Sequence, residues 1–561
     1  MNKSLILFLG VIALNCSSSN EDQNLGLITD NAMVVSARVE ASAIGSAVMQ
    51  QGGNAFDAMV STELALAVAY PFAGNIGGGG FMVYRTNEGT YGGIDYREKA
   101  PMSADRDMYL DQDGNVIPGM STKGATAIGV PGTLAGLFEV HEKFGSLPIE
   151  QLIQPVVDLA ERGVVVTQRD VNSFSYYRDD LVEANGENSL YTKEYKVGDT
   201  IKNLAFANTL KRVIKNGRDE FYKGETAKIL SKFVMDKGGY ITEGDLAAYE
   251  AVWRQPVVFN YKDIKIISMS PPSSGGVTMN QIFKMIEPYN IGQYEHNSLE
   301  AIQLFTEAAR RAYADRNYFL GDPDFADIPL DVLLSDTYLK ERFDNFSFDA
   351  ATPSSEVSRG TIQVVESDET THYSIVDQFG NGVSVTTTLN GGFGSKLFCE
   401  ELGIFLNNEM DDFSSKVGVP NMFGLIGAEA NAIEPQKRML SSMTPSIVEK
   451  DNELYAVVGT PGGSTIITAV AQTILNLYEF NMGMQEAVNA KRFHHQWLPD
   501  EIILEATGYS DELKAALEAK GYSIRQGRTR IIGKVDAIKR LKDGRLEAGA
   551  DPRGDDAAVG F

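Results

Sequence analysis

Positive charge is in short supply in this chain of 561 residues. It has 50 lysines and arginines against 75 aspartates and glutamates, a formal net charge of −25. A nucleic-acid backbone would repel it, and nucleic acid is excluded as a partner. Acidity says nothing further about fold; its ordinary meaning is solubility. Cysteine is almost absent, with only Cys16 and Cys399. Neither sits in a cysteine-protease setting, and Cys399 reads as a small buried apolar residue. The five histidines form no His-Glu-x-x-His pair, so no metal is called for. There is no Gly-x-Ser-x-Gly elbow of an α/β-hydrolase. No lysine–serine pair closes the glycine cluster at residues 74–80 into a phosphate loop, and no cofactor is implied. After residue 14 no apolar run is long enough to cross a bilayer, and no repeat or long low-complexity linker appears.

What is present begins at the N-terminus. Lys3 precedes an apolar run over residues 5–14, which ends at Asn15-Cys16. The run is too short to span a membrane and has the form of a secretory signal. A cysteine directly after it resembles a bacterial lipoprotein signal. We therefore expect a signal peptide over 1–15, lipidation at Cys16, a tether over 16–32, and an exported protein held at a membrane. A plainly secreted protein is the other reading.

Helical patterns and alternating segments are interspersed thereafter. Residues 54–70 read as a buried helix stopped by Pro71, and Phe81-Met82-Val83-Tyr84 as a strand. Residues 298–320 carry Leu299, Ile302, Phe305, Ala309 and Ala312 at helical spacing, with Ser298 as cap and Gly321 and Pro323 as stop. Helices are also expected over 465–478 and 510–520. Residues 324–369 read as polar and turn-rich.

The most informative stretch starts at Thr370. Thr370-Thr371-His372-Tyr373-Ser374-Ile375-Val376 and Gly382-Val383-Ser384-Val385-Thr386-Thr387-Thr388 flank the turn-forming Asp377-Gln378-Phe379-Gly380-Asn381. That is a hairpin signal. If Val376 faces Gly382, then 374 faces 384, 372 faces 386 and 370 faces 388. One face carries Thr370, His372, Ser374, Ser384, Thr386 and Thr388; the other carries Tyr373, Ile375, Val383 and Val385. Two threonine hydroxyls thus meet at the open end of the hairpin. A threonine hydroxyl becomes a nucleophile when a base takes its proton, and a threonine at a chain N-terminus carries that base as its own α-amine. Thr370 is internal, so this role requires prior cleavage of the Glu369–Thr370 bond. Opposed threonines are also ordinary strand formers, and the hairpin alone leaves both readings open.

The segment from Thr370 to Asp377 resembles the new N-terminus of the small subunit in γ-glutamyltranspeptidases, self-cleaving members of the N-terminal-nucleophile hydrolases. Further matches follow in order. They are Gly74-Asn75-Ile76-Gly77-Gly78-Gly79-Gly80-Phe81, Asp95-Tyr96-Arg97-Glu98-Lys99-Ala100-Pro101, Pro271-Pro272-Ser273-Ser274-Gly275-Gly276, Ala314-Asp315-Arg316, Asn407-Asn408-Glu409-Met410-Asp411-Asp412-Phe413, Leu440-Ser441-Ser442-Met443-Thr444-Pro445 and Gly459-Thr460-Pro461-Gly462-Gly463-Ser464. The resemblance implies an α+β, four-layer αββα sandwich. In it a large subunit (33–369) and a small subunit (370–561) interweave as one catalytic unit, a heterodimer after self-cleavage.

A γ-glutamyl donor such as glutathione presents an α-carboxylate, an α-ammonium and the scissile γ-amide. The resemblance assigns Arg97, Ser441 and Ser442 to the carboxylate, and Asn390, Glu409 and Asp412 to the ammonium. It assigns Gly462 and Gly463 to the oxyanion, Thr370 as nucleophile and Thr388 as its aligning partner. An ion pair of Arg97 with Asp95 or Glu98, and a plain turn at Pro461-Gly462-Gly463, are the structural alternatives. In bacterial relatives a tyrosine lid covers the substrate; here Phe423 takes that position, and Glu409 stands where some carry glutamine. The acyl group then passes to water or to an amino acid or peptide amine. The rivals are a cephalosporin or glutaryl-type acylase of the same fold and a catalytically silent, lipid-anchored binding protein.

Overall fold

The computed structural model describes residues 25–357, 370–416, 418–525 and 531–561. The expected leader, Cys16 and Glu369 lie outside the described residues.

Two seven-stranded antiparallel sheets form the centre. In the first the spatial order is Ala557–Gly560, Met33–Ser36, Thr371–Val376, Gly382–Thr388, Gly79–Arg85, Tyr91–Asp95 and Val252–Arg254. In the second it is Ile28–Thr29, Leu546–Gly549, Asp536–Arg540, Glu453–Gly459, Ser446–Lys450, Ile264–Ser268 and Val257–Tyr261. Both sheets therefore draw strands from either side of Thr370. The first packs against the second on one face and against helices Val39–Gln50 and Ala55–Ala69 on the other. The second sheet is backed by Gly275–Ile286, Ile466–Tyr478 and Met484–Asn489. This is the α+β, αββα arrangement.

The local causes are legible. Asn54 caps Ala55–Ala69 in a reciprocal box with Asp57, and every residue of that helix is buried, which explains its unbroken apolar composition. Ser298 accepts from the Ala301 N–H at the start of Leu299–Phe319. The helices expected near 465–478 and 510–520 are Ile466–Tyr478 and Asp511–Ala519.

Two expectations change. Residues 324–357 are not only turns. They include helices Leu330–Leu333 and Asp336–Phe343, whose Leu333, Leu339 and Phe343 are buried; three apolar residues among charges suffice for short helices pinned by packing. The range read as tether also runs too far. Ile28 and Thr29 pair with Glu547 and Leu546, so ordered chain begins before residue 33.

The hairpin has the counted register: Ser374 faces Ser384 and His372 faces Thr386. Its apolar face (Tyr373, Ile375, Val383, Val385) packs with the helical layer. Its polar face meets the second sheet. Ser374 Oγ donates to the Asp536 carbonyl at 2.9 Å, and Ser384 Oγ to that of Val458 at 3.1 Å. His372 is buried between Thr386 and Ser374 at 2.9 and 3.1 Å, and burial pushes its pKa down to about 3. It is a neutral bridging group.

Candidate active site

Thr370 directly precedes its strand and is 5% exposed. Continuing the register from Thr371 opposite Thr387 brings it to Thr388, the last residue of the neighbouring strand. The Thr388 hydroxyl accepts from the Asn390 backbone N–H at 2.7 Å. Asn390 has φ +73, a left-handed turn that asparagine tolerates, and its side-chain amide donates to the Asn408 carbonyl at 3.0 Å. The hairpin end is thereby joined to the segment carrying Glu409 and Asp412.

Arg97 follows Tyr91–Asp95 and is buried. Its guanidinium bonds to Glu409 through Nη1 and to Asp412 through Nη2, with Glu98 at 3.7 Å. Of the ion pairs considered above, the one with Glu98 is present, inside a buried cluster of one arginine and three carboxyls. Burial disfavours the charge on Arg97, but Glu409, Asp412 and Glu98 together raise its pKa. Burial pushes all three carboxyls up against the opposing pull of Arg97, Glu98 to about 8.

The loop over Ser441 and Ser442 is fixed from below. Ser441 N–H donates to the Pro272 carbonyl at 2.9 Å, and the Ser441 carbonyl accepts from Ser274 N–H at 2.8 Å. Ser442 Oγ accepts from Arg316 Nη2 at 3.0 Å, which leaves its own O–H available as a donor. Arg316 also donates to Ser274 Oγ at 3.0 Å, and burial pushes its pKa down to about 10. The sequence reading gave Arg316 no role. Its only signal was its place in Ala314-Asp315-Arg316, on a helix that otherwise reads as core.

Gly462 and Gly463 have φ +139 and +52, conformations that L side chains rarely adopt. The Gly462 carbonyl accepts from Thr465 N–H and Oγ1 at 3.0 and 2.7 Å. Among the described residues neither glycine N–H donates a backbone hydrogen bond. A Cβ on Gly463 would lie 2.6 Å from the Phe423 ring, so this ring rests on the turn. Asn421 shapes the covering loop, accepting from the N–H groups of Phe423 and Leu425 and donating to Asp412 at 3.0 Å.

One cavity is lined by Thr370, Thr388, Arg97, Asn390, Glu409, Asp412, Phe423, Ser441, Ser442 and Gly463, together with Arg316. Of the residues singled out from the sequence, Gly462 faces a second, larger cavity that also reaches Thr370. Cys399 lines neither cavity and is buried, its thiol pushed up to about 11 by burial. His494 bonds to Thr468 and Gln496, and His495 to Asp500.

A profile of the gamma-glutamyltranspeptidase family matches residues 41–561. The chain belongs to that family. It is 43% identical to the glutathione hydrolase proenzyme of Escherichia coli over 535 residues, 94% of this chain and 92% of the relative. An acylase proenzyme of a Pseudomonas strain is more distant, 32% identical over 94% of this chain and 93% of its own length. Among solved structures, a γ-glutamyltranspeptidase of Helicobacter pylori superposes with a TM-score of 0.57 at 40% identity, covering 60% of this chain and 95% of its own. A cephalosporin acylase of Bacillus halodurans superposes with a TM-score of 0.84 at 24% identity over 98% of this chain and 99% of its own. That last likeness speaks for the shared fold.

Proposed function

We propose that this family member is a self-processing γ-glutamyltransferase and glutathione hydrolase. The observation that carries the reading is the single cavity in which Thr370 and Thr388 meet Arg97, Asp412, Ser441, Ser442 and Gly463. In maturation the Thr370 hydroxyl attacks the carbonyl of Glu369. The acyl group shifts from nitrogen to oxygen, and water cleaves the ester. The products are a large subunit ending at 369 and a small subunit beginning with a free Thr370 amine.

In turnover that amine takes the proton of the Thr370 hydroxyl as it attacks the γ-carbonyl, and Thr388 holds the hydroxyl in line. Arg97 with Ser441 and Ser442 receives the donor's α-carboxylate. Asp412, Glu409 and Asn390 receive its α-ammonium. The N–H groups of Gly462 and Gly463 stabilise the tetrahedral oxyanion. The amine leaves, and water or an amino acid or peptide amine resolves the γ-glutamyl–Thr370 ester. Phe423 covers the site by packing, without a phenol. The ammonium-binding set and the greater identity to glutathione hydrolases favour γ-glutamyl donors over acylase substrates.

We further propose export and attachment to a membrane through a lipidated Cys16; the support is the apolar run that ends at that cysteine. The enzymatic reading is tested on a denaturing gel together with a γ-glutamyl donor assay. Wild type should give two fragments and turnover, and Thr370→Ala one inactive full-length band. Normal cutting in Thr370→Ala would remove Thr370 from the mechanism.

A further inference from the structure

Arg316 is the second guanidinium lining the cavity of Thr370, and it differs from Arg97 in its partners. Arg97 is bonded to two carboxyls, those of Glu409 and Asp412. Arg316, 3% exposed in helix Leu299–Phe319, donates to three uncharged oxygens. They are Ser274 Oγ at 3.0 Å, Asn317 Oδ1 at 2.9 Å and Ser442 Oγ at 3.0 Å. Among the described residues it forms no salt bridge. The neighbouring carboxyl of Asp315 is taken by Arg342, Tyr338 and Gln281. Asp412 attracts Arg316 at longer range, but its own hydrogen bonds go to Arg97 and Asn421. With a pKa pushed down to about 10, Arg316 still carries its charge at neutral pH. A cation held out of water with no anion bonded to it weakens a fold, so its place on a cavity wall calls for an anion brought by a ligand.

The serine loop shows how that charge reaches the cavity. Ser442 Oγ accepts from Arg316, and Ser441 Oγ accepts from the Met443 N–H at 3.1 Å. A hydroxyl that accepts from behind has its proton left to give forward. Among the described residues neither hydroxyl donates, and both line the cavity. Two O–H donors therefore point the same need at one ligand, and only that of Ser442 is backed by a charge. A hydrogen bond from a charged donor polarises the hydroxyl and strengthens what it donates in turn.

We propose that Arg316, acting through the Ser442 hydroxyl, supplies positive charge to the donor's α-carboxylate alongside Arg97. The inference rests on the γ-glutamyl-transfer reading above and adds to it a positioning residue. Arg97 is shared among Glu409, Asp412 and Glu98; Arg316 has no such claim on it and fixes the serine that meets the substrate.

The test uses the processed enzyme and two anilides that differ in the α-carboxylate alone. γ-Glutamyl anilide is the donor, and 4-aminobutyryl anilide is read as an inhibitor of its turnover. Arg316→Met should raise the KM for γ-glutamyl anilide by roughly tenfold or more and leave the inhibition constant of 4-aminobutyryl anilide within about twofold. Arg316→Lys, which keeps the charge, should retain most of the wild-type KM. In thermal unfolding Arg316→Met should melt no lower than wild type, because it removes a buried charge that has no bonded anion. An unchanged KM in Arg316→Met, or an equal loss for both anilides, overturns this inference alone. If Arg316→Met does not fold, Arg316→Gln is measured in the same way; failure of both to fold would make Arg316 a structural residue and overturn the inference. Absence of anilide release by wild type would instead overturn the transferase reading and this inference with it.

Discussion

Arg97 and Asp412, 315 positions apart in the chain, are hydrogen-bonded neighbours inside the cavity that holds Thr370. Glu409 occupies the other guanidinium nitrogen, and Glu98 stands 3.7 Å away. One cation thus serves three buried carboxyls, so the members of the cluster are not equivalent. Arg97→Met strands Glu98 and Glu409, leaves Asp412 only Asn421 and the longer-range pull of Arg316, and should destabilise the fold by about 3–5 kcal/mol. Asp412→Asn leaves Arg97 bonded to Glu409 and should cost at most about 2 kcal/mol, while raising the KM for γ-glutamyl donors through loss of the ammonium partner. Thermal unfolding and donor kinetics on both variants check this; equal stability losses, or an unchanged donor KM in Asp412→Asn, would count against it.

Gly463 is constrained twice, by φ +52 and by the Phe423 ring 2.6 Å from where a Cβ would sit. Gly463→Ala should displace the turn and cost on the order of 10²–10³ in kcat, the loss of one oxyanion donor. Adding Phe423→Ala removes the steric conflict but not the backbone strain, so it should restore only part of the rate. Full restoration would show that the turn itself tolerates alanine; no restoration would show that the ring is not in the way.

The hairpin was legible because a period of two residues fixes both faces and pairing once the turn is located. What covers each face was not legible. Ser374 and Ser384 on the polar face bridge two stacked sheets; their acceptors are backbone carbonyls of Asp536 and Val458, partners that no side-chain pattern encodes. Arg97 could be placed at a site only by resemblance, because an arginine among acids reads equally as a surface pair. Arg316 stayed hidden because its neighbours, Ser274 and Ser442, come from segments 42 and 126 residues away. The helices at Leu330–Leu333 and Asp336–Phe343 were missed because each is too short to show a periodic stripe.

The proposed anchor makes a separate prediction. Cys16→Ser should no longer partition with membranes while keeping its turnover once exported, since none of the cavity residues belongs to that segment of the sequence. Stable attachment needs more than one acyl chain, so radiolabelled fatty acid should appear on wild type and not on the variant. Wild-type protein recovered wholly soluble, with its N-terminus beyond residue 16, would refute the anchor and leave the catalytic reading intact.

Glu63 gives the last prediction. It lies in Ala55–Ala69 behind the nucleophile hairpin and is 1% exposed. Burial pushes its carboxyl from the ordinary 4.5 up to about 7, and its neighbours Thr387 and Tyr373 offset only part of that. Below the ordinary value the group is protonated in folded and unfolded chains alike. Between the two values the unfolded carboxyl is ionised while the folded one keeps its proton, so folding takes up a proton and stability falls as pH rises. Above about 7 the loss is complete, roughly 3 kcal/mol by linkage. Glu98, pushed up to about 8, slopes the wild-type curve the same way, so the informative quantity is the difference between variant and wild type. Glu63→Gln is neutral at every pH and should match wild type near pH 4.5 but exceed it by up to about 3 kcal/mol at pH 8. Denaturant unfolding at the two pH values measures this directly. A difference that does not change with pH would mean that Glu63 does not take up a proton on folding.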